Sequence, residues 1–285
     1  MKNGVEISVI TPIYKGTQYI EGLLSMVQKN SELFEDNKIE LVLVNDYPTE
    51  PINISDKFNF KVTVVENPRN LGIQAARING LKNSTGNYVM FLDQDDRISD
   101  TALFSQYSKI GDASAIISNG FYEDDFGKEI RLFKNSKQQN LVNDFNYYFY
   151  FGNLIASPGL VLVKKSSIPT AWMNNIMKIN GADDWLLWAQ FLKNGEKFVI
   201  NDEFLYIHVN SGNNTSDNNE QMLLSSEEAL KIYIDLNGSS KLSKVYKRRL
   251  KMRSAYENGE FSVRKLYQYL LNIDILWYIL KFKLS

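Results

Sequence analysis

Asp93, Asp95 and Asp96 follow directly on the apolar run Tyr88-Val-Met-Phe-Leu92. An uninterrupted run of this kind reads as a strand buried on both faces, as in a parallel sheet. Carboxylates at its carboxyl end would emerge in the crevice where open α/β sheets bind ligands. Asp93 and Asp95 are two apart, so on a continuing strand they share a face, with Asp96 beyond the bend. Charge packed this densely calls for a cation or strong donors. Oxygen ligands suit Mg²⁺ or Mn²⁺, completed by water and phosphate oxygens. An acidic turn in which one Asp caps a helix is the plainer alternative.

Four other places carry candidate chemistry. Asp46 ends the buried run Ile39-Glu-Leu-Val-Leu-Val44 after Asn45 and could hold a base or ribose, or simply start a turn. Arg77, in a helical segment opened by Gly72, could neutralise a diphosphate or be merely solvated. Asp183 and Asp184 stand at a helix start, where the macrodipole favours the ionised form and an N-cap is the bland role. His208 is the sole histidine; it is either structural or the last ligand of an oxygen-rich metal site.

The elements that must position these groups alternate. Strands are expected at Ile7–Tyr14 (ending at Pro12), Ile39–Val44, Lys61–Val65 and Tyr88–Leu92, with helical spacing at Tyr19, Leu23, Leu24 and Val27 and again from Ile73 to Leu81. Strands alternating with helices predict an α/β fold with a doubly wound, mostly parallel sheet. Further strands are read at Ala115–Ser118, Leu160–Val163, Lys197–Ile200 and Phe204–Ile207, and a helix from Asp183 through Leu192. The aromatic run Phe145–Phe151 is either core or an acceptor-binding wall. The polar stretch Ser211–Asn219 reads as a mobile loop.

The totals narrow the function. A formal net charge of -1 gives no general attraction to nucleic acid, and the absence of cysteine excludes disulfides and thiolate metal sites. The segment MKNGVEISVITPIY lacks the layout of a secretory signal, and no run reaches the length of a spanning helix, so a cytoplasmic protein is expected. Between Lys241 and Arg253 seven basic residues occur without an acid. Leu266, Tyr269, Leu270, Ile273, Trp277 and Leu280 then fall at helical spacing. Such a tail suits a peripheral contact with the inner face of a membrane; packing on the protein's own core or in a homodimer is the alternative.

Taken together, Ser8-Val-Ile-Thr-Pro-Ile-Tyr14, Leu43-Val-Asn-Asp46, Asn70-Leu-Gly72 through Ala76-Arg77, Phe91-Leu-Asp-Gln-Asp-Asp96 and Asp183-Asp184-Trp185 through Trp188 resemble the family 2 glycosyltransferases in order and spacing. The likeness covers about the first 210 residues. It implies a GT-A fold over residues 1–215, with residues 216–285 as a helical C-terminal extension. It further implies inverting transfer of a hexose or N-acetylhexosamine from a UDP-sugar to a glycan acceptor, on a lipid carrier, in surface polysaccharide synthesis. On this likeness Pro12, Tyr14 and Asp46 border the base and ribose, Arg77 lies near the diphosphate, and Asn70 and Gly72 belong to the same nucleotide-binding site. Asp95 is the direct Mn²⁺ or Mg²⁺ ligand, Asp93 faces ribose or metal, and His208 reaches metal or diphosphate. Asp184 is the general base, with Asp183 beside it. The chain departs from the family at Asn45-Asp46, where many members have two acids, and at Asp183-Asp184, where Glu-Asp is common.

Two rivals are weighed. A HAD-like phosphatase also places Asp-x-Asp after a buried strand, but nearer its N-terminus and with Thr or Val two residues on; here Ile98 comes three after Asp95. An inactive sugar-nucleotide-binding scaffold is the other, and intact Asp95 and Asp184 argue against it. A calcium loop fails because Ile98 and Phe104 stand where its glycine and glutamate must be.

Overall fold

The apolar runs do form strands. The structure, a computed structural model, describes residues 4–35, 37–54, 57–210, 212, 218–257 and 269–285. The chain divides into two compact units: residues 1–133, 156–168 and 196–211 in the first, and 134–155, 169–195 and 212–285 in the second. Two internal segments, 134–155 and 169–195, thus join residues 212–285 in the second unit, rather than the single cut at 215 expected from the sequence.

The first unit is built on a nine-stranded sheet. Its strands are β1 (Ile7–Ile13), β2 (Ile39–Asn45), β3 (Lys61–Glu66), β4 (Tyr88–Phe91), β5 (Arg97–Ile98), β6 (Ala115–Glu123), β7 (Glu129–Arg131), β8 (Val161–Lys164) and β9 (Phe198–Val209). They run in the order β3-β2-β1-β4-β8-β6-β9-β5, with β7 paired to β6. The sheet is parallel over β3-β2-β1-β4. Beyond β4 it is mixed: β8 is antiparallel to β4 and β6, while β6 and β9 are parallel. The two short stretches expected at 197–200 and 204–207 are one strand, carried past residue 200 by register shifts opposite Asn119. Pro12 does not end β1. Pairing with β4 stops at Ile10, so the missing N–H falls where that neighbour is already gone.

Helix α1 (Ile20–Ser31) connects β1 to β2 and helix α2 (Ile73–Asn83) connects β3 to β4. These crossovers travel in opposite directions along the sheet, so right-handed connections put them on opposite faces. Gly80 lets α2 approach: a Cβ there would stand 2.3 Å from Ile10 Cγ2. A polar staple sits in the buried sheet. Glu40 in β2 accepts from Ser8 Oγ at 2.7 Å and Thr85 Oγ1 at 3.0 Å, and from the Thr85 N–H. Burial pushes the Glu40 carboxyl up, but these donors and Lys61 prevail and hold it below its ordinary value.

The second unit is helical: α3 (Ser136–Gln139), α4 (Tyr147–Tyr150), α5 (Thr170–Asn174), α6 (Asp183–Lys193), α7 (Asn219–Asn237), α8 (Lys241–Glu257) and α9 (Ile273–Leu284). Aromatic side chains form its core. Phe149 meets Trp185 edge to face with centroids 5.7 Å apart, and Trp185 stacks on Tyr246 at 4.4 Å. Tyr147, Tyr148 and Phe149 are fully buried, so the centre of the aromatic run is core rather than wall. The basic segment lies within α8, whose Val245, Tyr246 and Leu250 are buried. In the tail stripe Leu270, Ile273 and Trp277 are exposed; Leu266 lies outside the described residues, as does most of the 211–219 stretch. Among the described residues no helix is long and apolar enough to cross a membrane.

Candidate active site

The order β3-β2-β1-β4 reverses direction at β1, so the carboxyl ends of β1, β2 and β4 open on one edge of the sheet at a topological switch point. Three sequence-predicted groups lie there: Pro12 near the end of β1 with Tyr14 just after it, Asp46 after β2, and Asp93 to Asp96 after β4. The acids are not on a continuing strand. Strand β4 ends at Phe91, and a turn closed by Asp96 N–H to Asp93 O at 3.2 Å carries them, so Asp93 and Asp95 do not alternate as strand residues.

The turn sends each acid to a different task. Asp93 accepts from Arg77 Nη2 at 2.5 Å and from Ser157 Oγ at 3.3 Å. Arg77 is buried, so its bond to Asp93 orients that carboxylate from beneath. Asp95 is half-buried. Asp96 is fully buried and accepts from the Tyr206 hydroxyl and from Val209 N–H at 2.9 Å, while His208 Nδ1 lies 3.0 Å from its Oδ1. Burial raises the Asp96 carboxyl above its ordinary range against these donors. Burial lowers the His208 imidazole, but the bond to Asp96 and its charge prevail and raise it. The carboxylate orients the ring so that Nε2 points away from Asp96, the arrangement seen behind many metal-binding imidazoles.

Asp46 is spoken for. Its Oδ1 accepts from Asn67 Nδ2 at 2.7 Å and Leu71 N–H at 2.9 Å, and its Oδ2 from Gly72 N–H at 3.0 Å. It thereby pins the loop of Asn70 and Gly72, and Asn70 Oδ1 adds a 2.9 Å bond to the same Gly72 N–H. Gln94, which the sequence reading passed over, clamps the backbone of Tyr14: its Oε1 accepts from Tyr14 N–H at 2.9 Å and its Nε2 donates to Tyr14 O at 3.2 Å. Tyr14 itself is exposed and packs edge to face on Tyr47 at 5.4 Å. Asp96 and Gln94 were legible only as members of the Asp-Gln-Asp-Asp string; nothing local tells which acid turns inward.

Among the described residues no three acidic or histidine side chains converge as a ready-made cage. Mg²⁺ and Mn²⁺ need less, since they bind through one or two protein groups plus substrate phosphates. Asp95 and the outward Nε2 of His208 fit that role, whereas both oxygens of Asp93 already have partners.

In the second unit Asp183 and Asp184 open α6, but neither is the cap: that position is Ala182, whose N–H donates to Ser225 Oγ at 2.8 Å. Asp183 is buried, and its carbonyl accepts from Trp172 Nε1 at 2.9 Å. Asp184 is only half-buried and is held at both oxygens, by Asn153 Nδ2 at 2.7 Å and by Trp185 N–H at 2.7 Å. Of the two, Asp184 is the more exposed.

The chain is similar to an uncharacterized glycosyltransferase of Haemophilus influenzae, 33% identical over 140 residues, covering 46% of this chain and 54% of that protein. It is 31% identical over 162 residues to the minor teichoic acid biosynthesis protein GgaA of Bacillus subtilis, covering 51% of this chain and 35% of that one. It is 26% identical over 214 residues to the poly(ribitol-phosphate) beta-N-acetylglucosaminyltransferase TarP of Staphylococcus aureus, covering 72% and 62%. The chain thus spans about half or less of the first relatives it matches. Among solved structures, residues 1–349 of S. aureus TarS in complex with UDP-GlcNAc superpose with a TM-score of 0.62 at 17% identity, covering 96% of this chain and 81% of that one. That likeness establishes the GT-A fold. The Glycosyl transferase family 2 model matches residues 8–168, more than half of the chain, which leaves no room for the phosphatase reading: the chain belongs to the family 2 glycosyltransferases.

Proposed function

We propose that this protein transfers a hexose or N-acetylhexosamine from a UDP-sugar, with inversion, to a hydroxyl of a glycan acceptor in bacterial surface polysaccharide synthesis. The observation that carries the reading is Asp184, a half-exposed carboxylate fixed at both oxygens by Asn153 and Trp185. Such a group can take the proton of an acceptor hydroxyl as that oxygen attacks the anomeric carbon. Asp183, buried beside it, supports the helix start. The names of GgaA and TarP, and the UDP-GlcNAc bound by TarS, support a surface glycan and a UDP-sugar.

On this reading the first unit holds the donor. Exposed Tyr14, steadied by Gln94 and Tyr47, offers the base an aromatic edge, with Pro12 beside it. Asp46 acts by shaping the Asn70–Gly72 loop, whose backbone borders the nucleotide. Arg77 presents Asp93 to the ribose. Asp95 and His208 Nε2 would hold Mn²⁺ or Mg²⁺, which when bound would offset negative charge on the diphosphate; the mannosyltransferase PcManGT of Pyrobaculum calidifontis, TM-score 0.54, was solved with GDP-Man and Mn²⁺. The acceptor is a lipid-linked glycan, met at the inner face of the membrane by the basic α8 and the exposed stripe of α9; the same stripe would serve a homodimer.

A thermal-shift panel of nucleotide sugars with and without Mn²⁺ tests this. A UDP-sugar at about 100 times its dissociation constant should add about 2.7 kcal/mol of stability. Stabilisation by no UDP-sugar, or equally by every nucleotide diphosphate sugar, would overturn the donor assignment.

A further inference from the structure

Adjacent arginines of α8 have opposite surroundings. Arg248 forms an ion pair with Asp274, Nη2 to Oδ2 at 2.5 Å. Arg249 is half-buried, yet among the described residues no carboxylate or carbonyl accepts from it. Its guanidinium lies against the α-carbon of Gly152, where a Cβ would stand 2.8 Å from Nη2 and 3.1 Å from Nη1. Gly152 has a φ of +107°, so any side chain at that position would be strained as well as blocked. Tyr246 forms another wall, its ring centroid 5.8 Å from the guanidinium carbon. Arg253, one turn further along, adds a second positive charge that presses on the first, while its Nη2 donates to Asn219 Oδ1 at 3.0 Å.

Burial lowers the Arg249 pKa from its ordinary value, and the charge of Arg253 acts in the same direction. A half-buried cation with no acceptor among the described residues is held at some cost. A solvating arginine would extend outward, and a structural one would be paired as Arg248 is. The chain instead keeps a glycine where a methyl group would displace the guanidinium.

The position matters as much as the charge. Asn153, the residue after Gly152, is the donor that holds Asp184. Consecutive α-carbons are about 3.8 Å apart, so Arg249 and the proposed base flank one dipeptide. Tyr246, the aromatic wall of Arg249, also stacks on Trp185, the neighbour of Asp184. We propose that Arg249, backed by Arg253, is a subsite for a phosphate group of the acceptor, which orients the attacking hydroxyl toward Asp184. Planar guanidinium donors suit phosphate oxygens, and a second cation strengthens the hold. The inference rests on the glycosyltransferase reading and adds that the acceptor is a phosphate-bearing glycan. The phosphate belongs either to a repeating phosphodiester backbone or to a lipid diphosphate carrier.

The test titrates inorganic phosphate into the full-length protein at constant ionic strength, by calorimetry, with and without saturating UDP. One saturable site that UDP does not displace is expected, weakened about 10- to 100-fold in Arg249→Gln and less in Arg249→Lys. Circular dichroism checks that each variant is folded; if Arg249→Gln is not, Arg249→Lys and Arg253→Gln carry the comparison. No saturable binding, displacement by UDP, or wild-type affinity in the folded variants would overturn the subsite. UDP binding, followed on the same samples, should be unchanged in Arg249→Gln; its absence in every sample would defeat the donor assignment while leaving the phosphate result to stand or fall by itself. A glycerol-phosphate oligomer and a short-chain polyprenyl diphosphate then compete with phosphate. The competitor whose displacement depends on Arg249 identifies the source, and failure of both would overturn an acceptor phosphate.

Discussion

Asn153 Nδ2 donates to Asp184 Oδ2 at 2.7 Å, while Trp185 N–H donates to Oδ1 at the same distance. Held at both oxygens, the carboxylate cannot rotate freely, and its direction is fixed before any acceptor arrives. Asn153→Ala removes one restraint without removing the base. Misplacing a catalytic group by about 1 Å can cost about 10²-fold in rate, so kcat for UDP release should fall by up to that factor with the donor KM unchanged. Initial rates across donor concentrations decide it. An unchanged kcat would mean that the bond is only structural.

Removing the proposed metal ligand should act on the donor instead. Asp95→Asn keeps the size of the side chain and loses its charge. Calorimetry should show Mn²⁺-dependent UDP binding in the unmutated protein and none of that dependence in Asp95→Asn, with an unchanged melting profile in the absence of ligand. Equal UDP affinity of the unmutated protein in Mn²⁺ and in chelator would remove the metal from the account.

Glu40 gives a stability test far from that chemistry. Burial pushes its carboxyl up, but Thr85, Ser8 and Lys61 prevail and hold the folded pKa below its ordinary value. A depressed carboxylate contributes stability that is complete above its unfolded pKa and is lost as pH falls through the folded value. Urea midpoints of the wild type should therefore fall more steeply than those of Glu40→Gln as pH drops below the ordinary glutamate range. At neutral pH the variant should be less stable by about 1–3 kcal/mol, because donors to a buried carboxylate lose their partner. Parallel pH slopes for the two proteins would contradict the staple.

What the sequence disclosed follows from the range of each interaction. Ile39–Val44 and Tyr88–Phe91 are strand residues whose burial is written in consecutive, mostly apolar positions, and the acids after them fall where the sheet opens. Asp96 was hidden because Tyr206 and His208, its partners, come about 110 residues later. Asp46 gave no sign that Leu71 and Gly72 would occupy its oxygens, since loop closure is invisible to local pattern. Phe145–Phe151 could be core or wall until Trp185 and Tyr246 were seen to pack on it. The basic run 241–253 read as a surface feature, and only folding separates Arg248, paired with Asp274, from Arg249, set against Gly152.

The central claim is that Asp184 is the general base, and the measurement that meets it most directly is UDP release by Asp184→Asn and Asp183→Asn beside the wild type, with donor affinity followed on the same samples. The amide keeps the size and most hydrogen bonds of the carboxylate but cannot accept the proton. General-base catalysis is worth about 10²- to 10⁴-fold, so Asp184→Asn should lose that much turnover while binding UDP-sugar as before. Asp183→Asn, at a buried position that does not cap its helix, should act mainly on stability. An active Asp184→Asn beside an inactive, normally binding Asp183→Asn would move the role to the neighbour, and near-normal turnover in both would contradict the mechanism.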